Sequence, residues 1–121
     1  MSTAEDGRRR AEQYLRLVAA GEQSAADELL AGVTDLAELT YVGAAFTAIS
    51  RSGARTLSPA HRAQATGRHM RLTALRDSAK RDPAALRTWL AALAGEAVFV
   101  RGMLDVAAAR AAQDGPVSGA G

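Results

Sequence analysis

The residues best suited to chemistry form a basic line between residues 59 and 81. Its members follow one another at alternating steps of four and three residues. They are Arg62, Thr66, His69, Thr73, Arg76 and Lys80. On a helix this spacing keeps the side chains on one side over about 27 Å. The predicted contacts to a partner or to phosphate are Arg62, Arg68, His69, Arg71, Arg76, Lys80 and Arg81.

Three interpretations of this basic line stay open. A guanidinium group binds phosphate well, so the line could grip a nucleic-acid backbone. However, no aromatic residue lies between Phe46 and Trp89 to stack on bases. An acidic protein partner would need no aromatic residues. The third interpretation is a solvated face without a function. It could pair with the acidic block, which holds five acids and no base from Glu22 to Glu38, either within the chain or across a dimer.

Glu96 is the charged residue that stands out, because its position falls among apolar residues of a helical stripe. A buried carboxylate needs a partner, or it takes up a proton. We expect an arginine of the basic stretch, Arg68 or Arg71, to pair with it. An enzymatic alternative requires a pocket that brings Tyr14, Tyr41 or His69 to Glu96.

Other chemistry finds little support in the sequence. The two histidines, His61 and His69, have no carboxylate three or four residues away, so we predict no metal site. No glycine-framed serine and no phosphate-binding glycine loop is present. We therefore predict neither catalytic residues nor a cofactor.

Helix signals recur along the chain and predict an all-α fold. Ser58-Pro59 and Asp82-Pro83 each combine an N-cap residue with a proline at the first helical position. No alternating pattern typical of a strand is present. The sequence predicts about five helices, at 8–20, 25–31, 35–51, 59–80 and 83–113.

The last helix is predicted to be the core element of the bundle. Its main apolar row is Leu86, Leu90, Leu93, Ala97, Val100, Leu104, Ala107 and Ala111. A second row contains Trp89, Ala92, Glu96, Phe99, Met103 and Val106. Together the two rows are wider than the stripe of an ordinary surface helix, so we expect neighbours on more than one side.

Glycines within the helices predict close contacts between helices. Gly95 and Gly102 are seven residues apart and share a face of the last helix, where we expect another backbone to approach; the alternative is that they are merely tolerated or mark a kink. Gly43 suggests a close helix contact in the third helix. The fourth helix has a thin apolar side. We assign to that side Ala60, Ala63, Gly67, Met70 and Ala74, with Leu72 and Leu75 on one flank.

The length of 121 residues is that of a single domain, and the chain contains no cysteine. We expect a flexible start at 1–7, one helical domain at 8–114 and a disordered tail at 115–121. Neither a secretory signal nor an apolar run of about 20 residues is visible. The sequence therefore favours a cytoplasmic protein without membrane contact.

These patterns favour a non-catalytic interaction module. The wide apolar arc of the last helix predicts a homo-oligomer, with a dimer favoured, because four short alanine-rich helices offer little cover. The alternative is a small nucleic-acid-binding accessory subunit that contacts phosphates through the basic helix 59–81.

Overall fold

The computed structural model describes the backbone of residues 3–120 and the side-chain surroundings of residues 3–113. Its five helices are α1 (Ala4–Ala19), α2 (Gln23–Ala31), α3 (Leu36–Ala54), α4 (Pro59–Ala79) and α5 (Pro83–Ala120). No strand occurs within residues 3–120. The predicted class, an all-α bundle with a long C-terminal helix, is confirmed.

Local capping explains where three of these helices begin. The Asp35 carboxylate accepts hydrogen bonds from the backbone N–H groups of Ala37 and Glu38, and Ser58 Oγ accepts one from the N–H of His61. Asp82 accepts one from the N–H of Ala84 at 3.2 Å. These contacts satisfy amides that have no partner inside the helix, as the sequence predicted.

The two chain ends differ from the prediction. Helix α1 begins at Ala4, because Thr3 Oγ1 caps it by accepting from the N–H of Asp6 at 3.1 Å. Helix α5 continues past the predicted stop at Gly115 as far as Ala120. Residues 1, 2 and 121 of the predicted terminal segments lie outside the described part of the chain.

The core forms where α3 lies between α1 and α5, and α4 packs against α5 on another side. Its largest fully buried side chains are Phe46, Leu39, Leu86, Leu90, Leu93, Val33, Val42 and Val100. Two ion pairs hold the edges of this arrangement. Arg10 of α1 pairs with Glu38 of α3 at 2.6 Å, and Arg101 of α5 pairs with Glu12 of α1 at 3.0 Å.

Trp89 shows how closely α3 and α5 approach. Its ring lies against Gly43, where an added Cβ would collide with the ring carbons. The predicted close contact at Gly43 is therefore confirmed. Gly95 and Gly102 differ, because nothing lies within 4 Å of a Cβ placed at either position. Their predicted close contact is wrong for neighbours within the chain.

The inward side of α4 also corrects the prediction. Ala60, Ala63 and Ala74 are exposed, and Met70 is 67% exposed. Ala65 and Ala79 are buried instead, and Leu72 and Leu75 pack against the core. Two leucines bury more apolar area than the small residues on the opposite side, so they decide which face points inward.

Candidate functional site

Glu96 and Arg68 form the ion pair that joins α4 to α5. Arg68 Nε lies 2.8 Å and 3.0 Å from the two carboxylate oxygens of Glu96. The guanidinium carbon of Arg68 also lies 4.7 Å from the centroid of the Phe99 ring, within range of a cation–π contact. The partner expected for Glu96 is therefore present. The pair leaves the carboxylate neutralised, with only 11% of the Glu96 side chain exposed.

Arg76 makes a second contact of the same kind. Its guanidinium carbon lies 5.3 Å from the centroid of the Trp89 ring, and its Nη1 donates a hydrogen bond to the Lys80 carbonyl at 3.1 Å. Arg68 and Arg76 were both predicted as contacts to a partner or to phosphate. Each has a structural task, because each guanidinium holds α4 against α5.

The other predicted contact residues divide between two sides of α4. Arg62 and His69 line a cavity between α3 and α4, and Lys80 and Arg81 border a shallow groove beside Tyr41. Arg71 is exposed. Within the described part of the chain, none of these cations forms an ion pair with a carboxylate.

In the described part of the chain, the acidic block from Glu22 to Glu38 does not pair with the basic line of α4. Glu38 pairs with Arg10 of α1, and Asp27 accepts a hydrogen bond from Gln23 of its own helix at 2.9 Å. Among the described residues, no carboxylate of this block forms an ion pair with a residue of α4. No ion pair among the described residues therefore supports the interpretation that the acidic block neutralises the basic line within the chain.

The enzymatic alternative required a tyrosine or His69 near Glu96. His69 and Glu96 line the same cavity. Tyr14 instead packs edge-on against Phe46 in the core, with ring centroids 5.5 Å apart, and Tyr41 lies outside this cavity. Residues 3–113 contain no group of three His, Asp or Glu side chains that could hold a metal ion.

An uncharged strip on α5 is exposed at every position except Ala92, which is half-buried. We name it the α5 seam, and it consists of Thr88, Ala92, Gly95, Phe99, Gly102, Val106, Ala109 and Gln113. These positions follow one another at steps of four and three, the repeat of a coiled-coil interface. Phe99 is 51% exposed and Val106 is 54% exposed.

The α5 seam lies on a helix that is longer than the helices around it. Helix α5 has 38 residues and is about 57 Å long, whereas the 21 residues of α4 span about 31 Å. Leu86, Leu90 and Leu93 of the main apolar row are buried, but Ala107 and Ala111 are exposed. The described residues therefore cover one side of α5 as far as Val100 and leave the stretch from Asp105 to Gln113 exposed.

Comparisons with protein-family models, with curated proteins and with solved structures found no match. No helix in the described part of the chain has the length and apolar character needed to cross a membrane.

Sequence reasoning missed the contribution of α3 to the basic cavity. Arg51 of α3 and Arg55, which caps the C-terminus of α3, line it together with Arg62, and Ser50 is buried at its wall. The two arginines are four residues apart, and since the backbone of Arg55 is still helical, this spacing puts them on one face of the helix. That spacing is the signal that could have identified them.

Proposed function

We propose that this protein is a non-catalytic α-helical interaction module that works as a homodimer, with α5 as the dimer helix. The observation that supports the proposal is the α5 seam, an uncharged strip on which Phe99 is half exposed. Exposed aromatic and apolar side chains in a continuous strip are typical of protein interfaces.

The size pattern of the seam favours a second copy of the chain as the occupant. In an antiparallel pair of α5 helices, with the twofold axis between residues 100 and 101, Phe99 faces Gly102 of the other copy. Val106 faces Gly95 by the same symmetry. Each bulky side chain thus meets a glycine, and nothing lies within 4 Å of a Cβ at either glycine in the free chain. Such self-complementarity is what a twofold interface needs.

The surface offered to an acidic partner consists of exposed cations that remain outside this dimer contact. They are Arg62, Arg71, Lys80 and Arg81, and they lie on more than one side of α4 and just beyond its end. Arg68 and Arg76 support this surface indirectly, since they hold the helix in place through Phe99 and Trp89.

The test of the dimer is sedimentation velocity over a wide concentration range, with Gly102→Leu as the diagnostic variant. Leucine fills the space that Phe99 of the second copy would occupy, so we expect this variant to be monomeric. Leucine is also a better helix former than glycine, so the fold is retained and circular dichroism checks it.

Gly67→Leu on α4 is the matched control, because a Cβ at Gly67 also meets nothing within 4 Å. We expect this control to dimerise like the wild-type protein. A wild-type protein that stays monomeric at every concentration, or a Gly102→Leu variant that dimerises as well as the control, would overturn the proposal.

A nucleic-acid-binding accessory subunit is the second candidate. The lack of any carboxylate partner for Arg62, Arg71, Lys80 and Arg81 among the described residues favours it. Gel-shift experiments with double-stranded and single-stranded nucleic acid at low salt test this candidate. Binding should not depend on the nucleotide sequence. The Arg71→Gln/Arg81→Gln variant should lose about two phosphate contacts, so its affinity for nucleic acid should fall less steeply as the salt concentration rises. Absence of any shift at low salt would exclude this candidate.

A further inference from the structure

The cavity between α3 and α4 combines features of a binding site for a small molecule. It has a volume of about 230 Å³. At about 30 Å³ for each water molecule, it has room for about eight of them. Leu72 and Leu93 provide apolar walls, while Arg51, Arg55 and Arg62 stand at the exposed rim.

Ser50 is the polar group inside this cavity that lacks a partner. The residue is 7% exposed, and its Oγ makes no hydrogen bond within the structure. A buried hydroxyl without a partner is unfavourable, and native folds contain few of them. The Oγ atom is closed to a water-sized probe in this structure, so the Ser50 side chain must turn into the cavity before an incoming polar group can remove this cost.

The threonines of the same helices show that Ser50 is an exception. Five of them donate a hydrogen bond to the carbonyl four residues earlier: Thr40, Thr47, Thr66, Thr73 and Thr88. Thr47 and Thr66 line the same cavity, but their hydroxyl groups are satisfied in this way. Ser50 is the buried hydroxyl that remains available.

The charge at the rim is positive and not neutralised. Arg51, Arg55 and Arg62 have no carboxylate partner among the described residues. Glu96 is the carboxylate that lines the cavity, and Arg68 already pairs with it. A guanidinium group binds carboxylate and phosphate oxygens with two parallel hydrogen bonds, so an anion is the favoured occupant.

We infer that this cavity binds a small organic anion, with an apolar body between Leu72 and Leu93, a polar atom at Ser50 and a carboxylate or phosphate group at the rim arginines. The site belongs to one chain and does not depend on the α5 seam. Its failure and the failure of the proposed dimer are therefore separate results.

The test is titration of the wild-type protein with four probes, followed by amide NMR shifts and by melting temperature. Benzoate and phenyl phosphate carry both an apolar ring and an anion, and they differ in the anionic group. Benzyl alcohol lacks the charge, and inorganic phosphate lacks the ring. We expect benzoate or phenyl phosphate to shift the amides around Ser50 and His69 and to raise the melting temperature. The other two should bind at least tenfold more weakly.

Two variants link binding to the rim and the hydroxyl group. Arg55→Gln/Arg62→Gln should abolish the shifts, whereas Arg71→Gln, on a different side of α4, should leave them unchanged. Ser50→Ala should weaken binding about tenfold, since it removes one hydrogen bond to an anion or its neighbour. The same substitution should raise the melting temperature of the free protein, because the unpaired hydroxyl is gone.

Several results would overturn the inference. The first is that neither anion shifts the cavity amides at millimolar concentration. The second is that benzyl alcohol or inorganic phosphate binds as tightly as the paired probes, because each lacks half of the inferred ligand. The third is that Arg71→Gln weakens binding as much as Arg55→Gln/Arg62→Gln.

Discussion

Two sides of α5 have similar residue types but different surroundings. Leu93 on the inward side is 2% exposed, because other helices cover it, whereas Phe99, six residues later on the outward side, is 51% exposed. The same contrast separates two glycines: Gly43 faces the Trp89 ring, and Gly102 faces open space. The difference teaches that a helical stripe identifies a surface to be covered, but not whether the cover comes from the same chain.

The largest effect should come from truncating one side chain on each side of α5. Leu93→Ala should lower the free energy of unfolding by about 2–5 kcal/mol, because it leaves a cavity in the core. Phe99→Ala should lower it by less than about 1 kcal/mol, mainly through the lost contact with Arg68. Urea unfolding at low protein concentration measures both, and equal losses would contradict the division of α5 into a covered and an exposed side.

The glycine contrast predicts two effects of opposite sign. Gly43→Ala should lower the free energy of unfolding by about 1–3 kcal/mol, because Trp89 must move to admit the methyl group. Gly102→Ala should raise it by about 1 kcal/mol, because alanine is the better helix former and meets no neighbour. Thermal unfolding of the dilute protein distinguishes them. Destabilisation by Gly102→Ala under these conditions would mean that its face is covered within the chain.

A smaller effect concerns two carboxylates of α5. Glu96→Gln should lower the free energy of unfolding by about 1–2 kcal/mol, because it weakens the charge-assisted contact with Arg68. Asp105→Asn is the control on the exposed stretch of α5, where the carboxylate is exposed and forms no ion pair with a described residue. A double-mutant cycle with Arg68→Met isolates the pair. No coupling between Glu96 and Arg68 would contradict the role of this contact in holding α4.

The sequence predicted what depends on neighbouring residues. Asp35, Ser58 and Asp82 cap their helices as expected, since a cap needs only the next few amides. The buried row from Leu86 to Val100 followed from its spacing. The partner of Glu96 followed from the cost of leaving a carboxylate unpaired.

The sequence could not predict features that depend on how helices pack. The inward face of α4 is determined by Leu72 and Leu75 meeting the core, and a thin pattern of alanines pointed to the wrong side. The empty space beside Gly95 and Gly102 depends on where α1 and α4 end up around α5. The cavity at Ser50 arises because α3 and α4 both pack on α5 and leave a gap between them.

Because α5 extends beyond the helices around it, its amides should fall into two groups that differ in their rate of hydrogen exchange. Amides between Leu86 and Val100 belong to the packed core and should exchange only when the whole domain unfolds. From Asp105 to Gln113 every described residue is exposed, so a free monomer should exchange these amides through fraying of the helix end. If the protection of these amides against exchange increases with protein concentration, the increase would show directly that a second copy covers this segment.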